Sequence, residues 1–224
     1  AVVLLHGLSG SHRWWRYTVP ALVGDRSVHV PELVGFGESR VPTGPPTIVG
    51  MAELLVRWMD ALSLDRVDLV GHSMGGQISI HLAARWPDRV DRLTLVSAAG
   101  VPRRLSLQEA ARLVSELIPP RAWGRPDFLP TIAGDALRSG PRTLLRTTRN
   151  LLADDVLPLL PRIVQRTLLI WGRLDALTPL AHAWIMADRI PGARLVVIPD
   201  AAHNPMADRP EEFNRLLVDF LDSD

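Results

Sequence analysis

The chain of 224 residues carries 25 basic side chains, all of them Arg, against 24 acidic ones, a formal net charge of +1. That balance excludes the strong basic field that draws proteins to nucleic acid, and the lack of Cys excludes disulfides, thiol catalysis and cysteine metal sites. The length suits one good-sized core, and apolar and charged shares of 47% and 22% exclude disordered and fibrous classes.

No apolar run reaches the ~18 residues of a membrane span. Residues 1–5 lack the basic start and cleavage site of a signal peptide. A cytoplasmic protein is therefore expected, with no nucleic-acid partner and no membrane span. The chain begins without Met, so a longer native N-terminus is expected.

Taken in order, residues 1–5 form an apolar run that reads as a buried strand, and residues 27–30 a shorter strand interrupted by His29. Residues 47–62 place Ile48, Met51, Leu55 and Trp58 at a spacing close to the helical period of about 3.6. Residues 66–70 read as a strand, interrupted by Asp68, and residues 74–86 as a helix ended by Pro87. Strands follow at 93–97, 167–171 and 194–198, with helices at 180–190 and 210–221. In the last helix, Pro210 and the Glu211-Glu212 pair suit the positive end of the helix dipole. Residues 101–166 break the rhythm, with several Pro, no convincing strand and helical segments at 105–117 and 142–151.

This alternation predicts an α/β fold: a mostly parallel central sheet flanked by helices, with a small helical cap inserted before the penultimate strand. The core would comprise residues 1–100 and 167–224 and the cap residues 101–166. Leu113, Leu117, Phe128 and Leu129 give the cap an apolar lining over the substrate pocket, with Phe128 and Leu129 as pocket residues.

Gly71-His72-Ser73-Met74-Gly75 lies between a predicted strand and a predicted helix. A G-x-S-x-G sequence there presents its serine on a strained turn, here Ser73, with the Met74 amide at the helix N-terminus aimed where an oxyanion would form. Serine needs a base oriented by a third group. His203 sits in the loop after the last strand, at the edge where sites collect in open α/β sheets. His29, His72, His81 and His182 fit structural places better, and His12, in an early loop, could at most line the pocket. Asp175 follows the strand at 167–171 and precedes His203, as the order Ser, Asp, His requires; Asp200 is its rival. The second oxyanion donor falls to the Leu8 amide, after His6-Gly7, with Gly7 permitting close approach and His6 bracing the loop. Trp14 belongs either to the core or to the substrate pocket. No metal or organic cofactor is called for.

These motifs resemble the α/β-hydrolase superfamily along the whole chain apart from the cap. His6-Gly7, the loop Val34-Gly-Phe-Gly-Glu-Ser39, the serine turn and the Asp175…His203 pair recur in family order. Residues 210–221 resemble the terminal helix of the branch that holds small esterases, enol-lactonases and C–C bond hydrolases. Family members have one or two antiparallel strands before the His-Gly strand and none precede it here, so an exposed sheet edge or an incomplete chain is expected. Glu32 replaces a family Asp that braces the backbone.

Single residues narrow what the resemblance implies. Ser73 at the turn argues against dehalogenases and epoxide hydrolases, which use Asp there. Tyr17, the only Tyr, lies outside the cap, where epoxide hydrolases need tyrosines. Asn204 stands where aromatic C–C hydrolases carry Trp, and residues 8–11 are poorer in Gly than theirs. The expectation is a serine hydrolase acting on a small-molecule carboxylic ester. A lactonase, thioesterase, C–C hydrolase or cofactor-free perhydrolase on the same triad, and a catalytically silent ligand-binding member, are the alternatives.

Overall fold

The computed structural model describes residues 1–39, 46–102 and 125–223. Six strands form one sheet: β1 (Val2–Leu5), β2 (Val28–His29), β3 (Val67–His72), β4 (Val90–Val96), β5 (Arg166–Gly172) and β6 (Arg194–Ile198). Every pairing is parallel, in the order β2-β1-β3-β4-β5-β6. Parallel neighbours need crossovers, which the helices α1 (Val19–Leu22), α2 (Ile48–Ala61), α3 (Met74–Arg85), α4 (Leu129–Ala153), α5 (Leu180–Arg189), α6 (Pro205–Asp208) and α7 (Pro210–Asp222) help to supply. Among the described residues, no helix is long and apolar enough to cross a membrane.

Alternate residues of the central strands enter two separate cores. Leu5, Leu69, Leu95, Leu169 and Trp171 pack with α2 and α3 on one face. Leu4, Val70, Val96, Leu168 and Ile170 pack with Trp15, Leu22, Phe213 and Leu217 on the other. A strand buried on both faces has no need of polar alternation, which is why these strands read as apolar runs.

β4 begins earlier than expected, at Val90, because Asp91 and Arg92 lie at the sheet's polar margin. There Arg92 bonds Asp91 at 2.9 Å and Asp68 at 3.4 Å. β3 runs on through Gly71 and His72, so the serine turn starts directly from the ladder.

Register fixes where the loops emerge. Leu5 pairs with Gly71, His72 with Val96, Val96 with Ile170, and Gly172 with Ile198. β1, β3 and β4 end level to within one residue and β5 and β6 run two residues further, so the segments beginning at His6, Ser73, Ser97, Arg173 and Pro199 leave along one edge.

The helical insertion falls between β4 and β5, which nonetheless pair directly. The expected segment at 142–151 lies in α4; that at 105–117, with Leu113 and Leu117, lies outside the described residues. α4 is two helical stretches joined at Gly140 (φ 73°, ψ 157°), followed by Pro141. Its first stretch went unforeseen because only Asp135 and Thr147 are buried in the whole helix. Its apolar residues Ile132, Leu144 and Leu151 pack on the cores while only partly buried, and Gly134, Gly140 and Pro141 break the pattern read from the sequence.

At its far end the insertion is tied to α3. Gln77 Nε2 donates to Asp154 Oδ2 at 2.7 Å, and His81 Nε2 lies 2.8 Å from the same oxygen.

Candidate active site

Ser73 occupies the junction of β3 and α3 with φ 52° and ψ −114°. A non-glycine residue held there costs on the order of 1–3 kcal/mol, so the surroundings must enforce it. They do: the Ser73 amide donates to Val96 O at 2.9 Å, and its carbonyl accepts from Gln77 N at 3.1 Å and Ala99 N at 3.0 Å. The following helix packs directly on β1, where a Cβ on Gly75 would meet Leu5 O at 2.5 Å. The main chain at Gly7 passes as close on the other side; a Cβ there would stand 3.0 Å from the Ser73 Cβ. This contact brings the Leu8 segment to the serine. The Met74 amide, first in its helix, has no acceptor within that helix.

Three side chains from three strand ends meet. Ser73 Oγ lies 3.0 Å from His203 Nε2, and His203 Nδ1 lies 2.9 Å from Asp175 Oδ2 and 3.1 Å from Oδ1. All three residues are buried, with Ser73 and His203 each 9% exposed. Asp175 is held from its own loop: Leu177 N and Thr178 N each donate to Oδ1 at 2.9 Å, and Thr178 Oγ donates to Oδ2 at 2.7 Å. Burial pushes its carboxyl up, but the facing His203 and the bonds from His203 and Thr178 outweigh burial and hold it below its ordinary value. An ionised Asp175 accepts the Nδ1 proton of His203. That leaves the Nε2 lone pair facing Ser73 Oγ, ready to take its proton.

The other expectations divide. His6 braces its loop, with Nδ1 donating to Gly7 O at 2.8 Å and Nε2 accepting from Leu33 N at 3.1 Å. Burial lowers it to about 4. Glu32 also braces, taking the Glu38 amide and pairing with His12 at 2.7 Å. Asp200 makes no bond to His203 and pairs with Arg209 at 3.6 Å.

Trp14 and Phe128 are 4% and 1% exposed and pack edge to face, 5.9 Å apart, in the core. So little of either ring is free that the core reading of Trp14 describes it better than the pocket one. Leu129 begins α4 and is partly exposed. A groove of about 440 Å³ beside α2, lined by Glu32, Leu33, Met51, Leu55 and Trp58 among others, includes none of the three meeting residues.

Three residues went unrecognised in the sequence. Thr178, three positions after Asp175, is one; an Asp-x-x-Thr turn was its available signal. Asp208 is another, accepting Ala202 N at 2.8 Å and Arg125 N at 2.9 Å and so anchoring the His203 loop. The third is His72. Its Nε2 donates to the His203 carbonyl at 2.8 Å, its ring lies 4.9 Å from the His203 ring, and Trp14 covers it at 5.5 Å. Its adjacency to Ser73 hid this, because β3 turns the two side chains to different neighbours.

Burial, followed by the charge of His203, pushes His72 from 6.5 down to about 3. The unfolded chain takes up that proton near 6.5 and the folded site does not until about 3, so stability falls with pH through this window by roughly 1.4 kcal/mol per unit. His72→Gln keeps an N–H for the His203 carbonyl but cannot protonate. It should flatten the fall in Tm across the window, leaving the share contributed by His6. A pH series of thermal unfolding checks this, and a slope equal to that of the unsubstituted chain would refute it.

Fold and strand-end geometry together place the chain in the parallel-sheet α/β class. The chain belongs to the alpha/beta hydrolase fold family, whose model matches residues 1–152 and 139–210. Among curated relatives, it is 29% identical over 238 residues to the dihydrolipoyllysine-residue acetyltransferase component of the acetoin cleaving system of Pseudomonas putida, a match covering 98% of this chain. The chain spans 63% of that protein's length. Among solved structures, Est816, described as an enzyme degrading N-acyl homoserine lactones, superposes with a TM-score of 0.87 at 28% identity, covering 98% of this chain and 92% of its own. A thermophilic esterase from Thermogutta terrifontis superposes at 0.85 and 29% identity, covering 98% and 88%.

Proposed function

We propose that this protein hydrolyses carboxylic esters through an acyl-enzyme intermediate on Ser73. The carrying observation is the relay from Ser73 Oγ through His203 to Asp175, with contacts of 3.0 and 2.9 Å. His203 takes the Ser73 proton as Oγ attacks the ester carbonyl. The developing oxyanion is held by the amides of Leu8 and Met74, and Asp175 stabilises the imidazolium as it forms. His203 then protonates the departing alcohol, and a water activated by His203 releases the acid. The insertion acts as the cap that selects the acyl or alcohol part. Support comes from the Thermogutta esterase and from Est816, since a lactone is a cyclic ester open to the same attack.

The test is a panel of short p-nitrophenyl esters, lactones and thioesters on the purified chain, together with a fluorophosphonate probe read by peptide mass. Ester turnover and a label on Ser73 are expected. Turnover confined to lactones or thioesters moves the substrate class while keeping the mechanism. Absence of both turnover and label sinks the proposal.

A further inference from the structure

Asp135 lies on α4, in the insertion, with its side chain 1% exposed. A carboxylate taken out of water costs several kcal/mol unless charges and hydrogen bonds compensate it. Here they come from one short run of the core. Ser11 Oγ donates to Oδ2 at 2.6 Å, Trp14 Nε1 donates to Oδ2 at 3.1 Å, and Arg13 reaches Oδ1 at 3.4 Å. Arg138, a turn further along the same helix, stands 3.8 Å from Oδ1. The neutral bonds thus converge on Oδ2 and the guanidinium groups on Oδ1.

What these bonds hold is not remote from the chemistry. Residues 11–14 continue the loop that passes Gly7 and Leu8, closed by Gly10 N to Gly7 O at 3.0 Å and capped by Ser11 over Arg13 N. The Trp14 ring rests on His72, and His72 holds the His203 carbonyl and packs on its ring. With Asp135 removed, the indole N–H of a 4% exposed Trp14 loses its acceptor, and leaving a buried donor unpaired costs about 1–3 kcal/mol. The ring is then released from its tether, and its contact with His72 passes any shift towards the His203 carbonyl.

We infer that Asp135 is a positioning residue for the Ser73 site: through Trp14 and His72 it sets His203, and through Ser11 it sets the loop bearing the Leu8 amide. The inference rests on the proposed ester hydrolysis. Insertion and catalytic residues then form one mechanical unit, and the insertion serves the chemical step as well as any role over the pocket.

The test compares Asp135→Ala, Asp135→Asn and Trp14→Phe in ester turnover and in the rate of fluorophosphonate labelling. A small misplacement of reacting groups costs up to about 100-fold, so Asp135→Ala should lose about 10- to 100-fold in kcat and in labelling rate, with KM little changed. Asp135→Asn can place its oxygen at the Oδ2 position for Ser11 and Trp14, giving up only the Arg contacts, and should stay within about threefold of the unsubstituted chain. Trp14→Phe keeps a ring and loses the tether, so kcat should fall several-fold; if Asp135→Ala does not fold, this variant decides.

Three results would overturn the inference: a lowered Tm with unchanged kcat, a raised KM with unchanged kcat, or Asp135→Asn as impaired as Asp135→Ala. If the unsubstituted chain neither turns over esters nor takes the label, the ester reading fails and the inference falls with it. If it does both and Asp135→Ala matches it, only the inference fails.

Discussion

Replacing Ser73 with Ala is expected to lower kcat/KM for a short p-nitrophenyl ester by about 10⁴- to 10⁶-fold and to abolish fluorophosphonate labelling. Only a methyl group would face His203 Nε2, so the base would have no oxygen to deprotonate and no acyl-enzyme could form. The loss should stop short of the uncatalysed rate, because the Leu8 and Met74 amides still favour an oxyanion when water attacks. Circular dichroism should show an unchanged fold, since the Ser73 backbone bonds to Val96, Gln77 and Ala99 do not use the hydroxyl. Initial rates on matched preparations, the variant free of unsubstituted enzyme, give the answer; a variant as active as the unsubstituted chain ends the case for this nucleophile.

Asp175→Asn should cost about 10⁴-fold in kcat while leaving KM nearly unchanged. The carboxylate accepts on both oxygens: two amides at Oδ1, and Thr178 Oγ and His203 Nδ1 at Oδ2. An Asn must give its one oxygen to the amides, turning its NH₂ towards His203 Nδ1. That nitrogen must then accept, which moves the imidazole proton to Nε2 and points an N–H at Ser73 where a lone pair is needed. The fold should survive with reduced acid sensitivity. Because the folded carboxyl sits below its ordinary value, its stabilising contribution is complete above the unfolded pKa and is lost as pH falls through the folded one. A kcat within tenfold of the unsubstituted value would show that Asp175 does not orient the base.

Legibility followed the chemistry of each segment. β1 and β5 were readable because both of their faces are buried and no charge interrupts them, and the edge strand β6 because its apolar run at 195–198 is unbroken by a polar residue. β4 lost its first residues to Asp91 and Arg92, whose bonds with Asp68 are invisible without the neighbouring strand. The meeting of Ser73, Asp175 and His203 could be anticipated because each follows a strand and parallel register levels the strand ends. His72 and Asp208 could not be ranked in the same way, since each acts on backbone and carries no signature beyond a common residue type, and Thr178 had only the Asp-x-x-Thr spacing to mark it. The first half of α4 was hidden for a related reason: its one buried residue is the polar anchor Asp135, and Ile132 packs beside it only partly buried.

The direct pairing of β4 with β5 bears on how such a protein could be rebuilt. Everything between those strands leaves at the C-terminal end of β4 and re-enters at the opposite end of its neighbour β5, so the sheet asks of the intervening chain only that it span back the length of one strand. Judged by the ladder alone, that stretch could be exchanged for another like a cartridge. Trp14 sets the condition on the exchange: its indole N–H opens towards the insertion and is buried when the insertion is in place. A transplanted segment would have to deliver an acceptor to that nitrogen, or be accompanied by a residue at position 14 that asks for none.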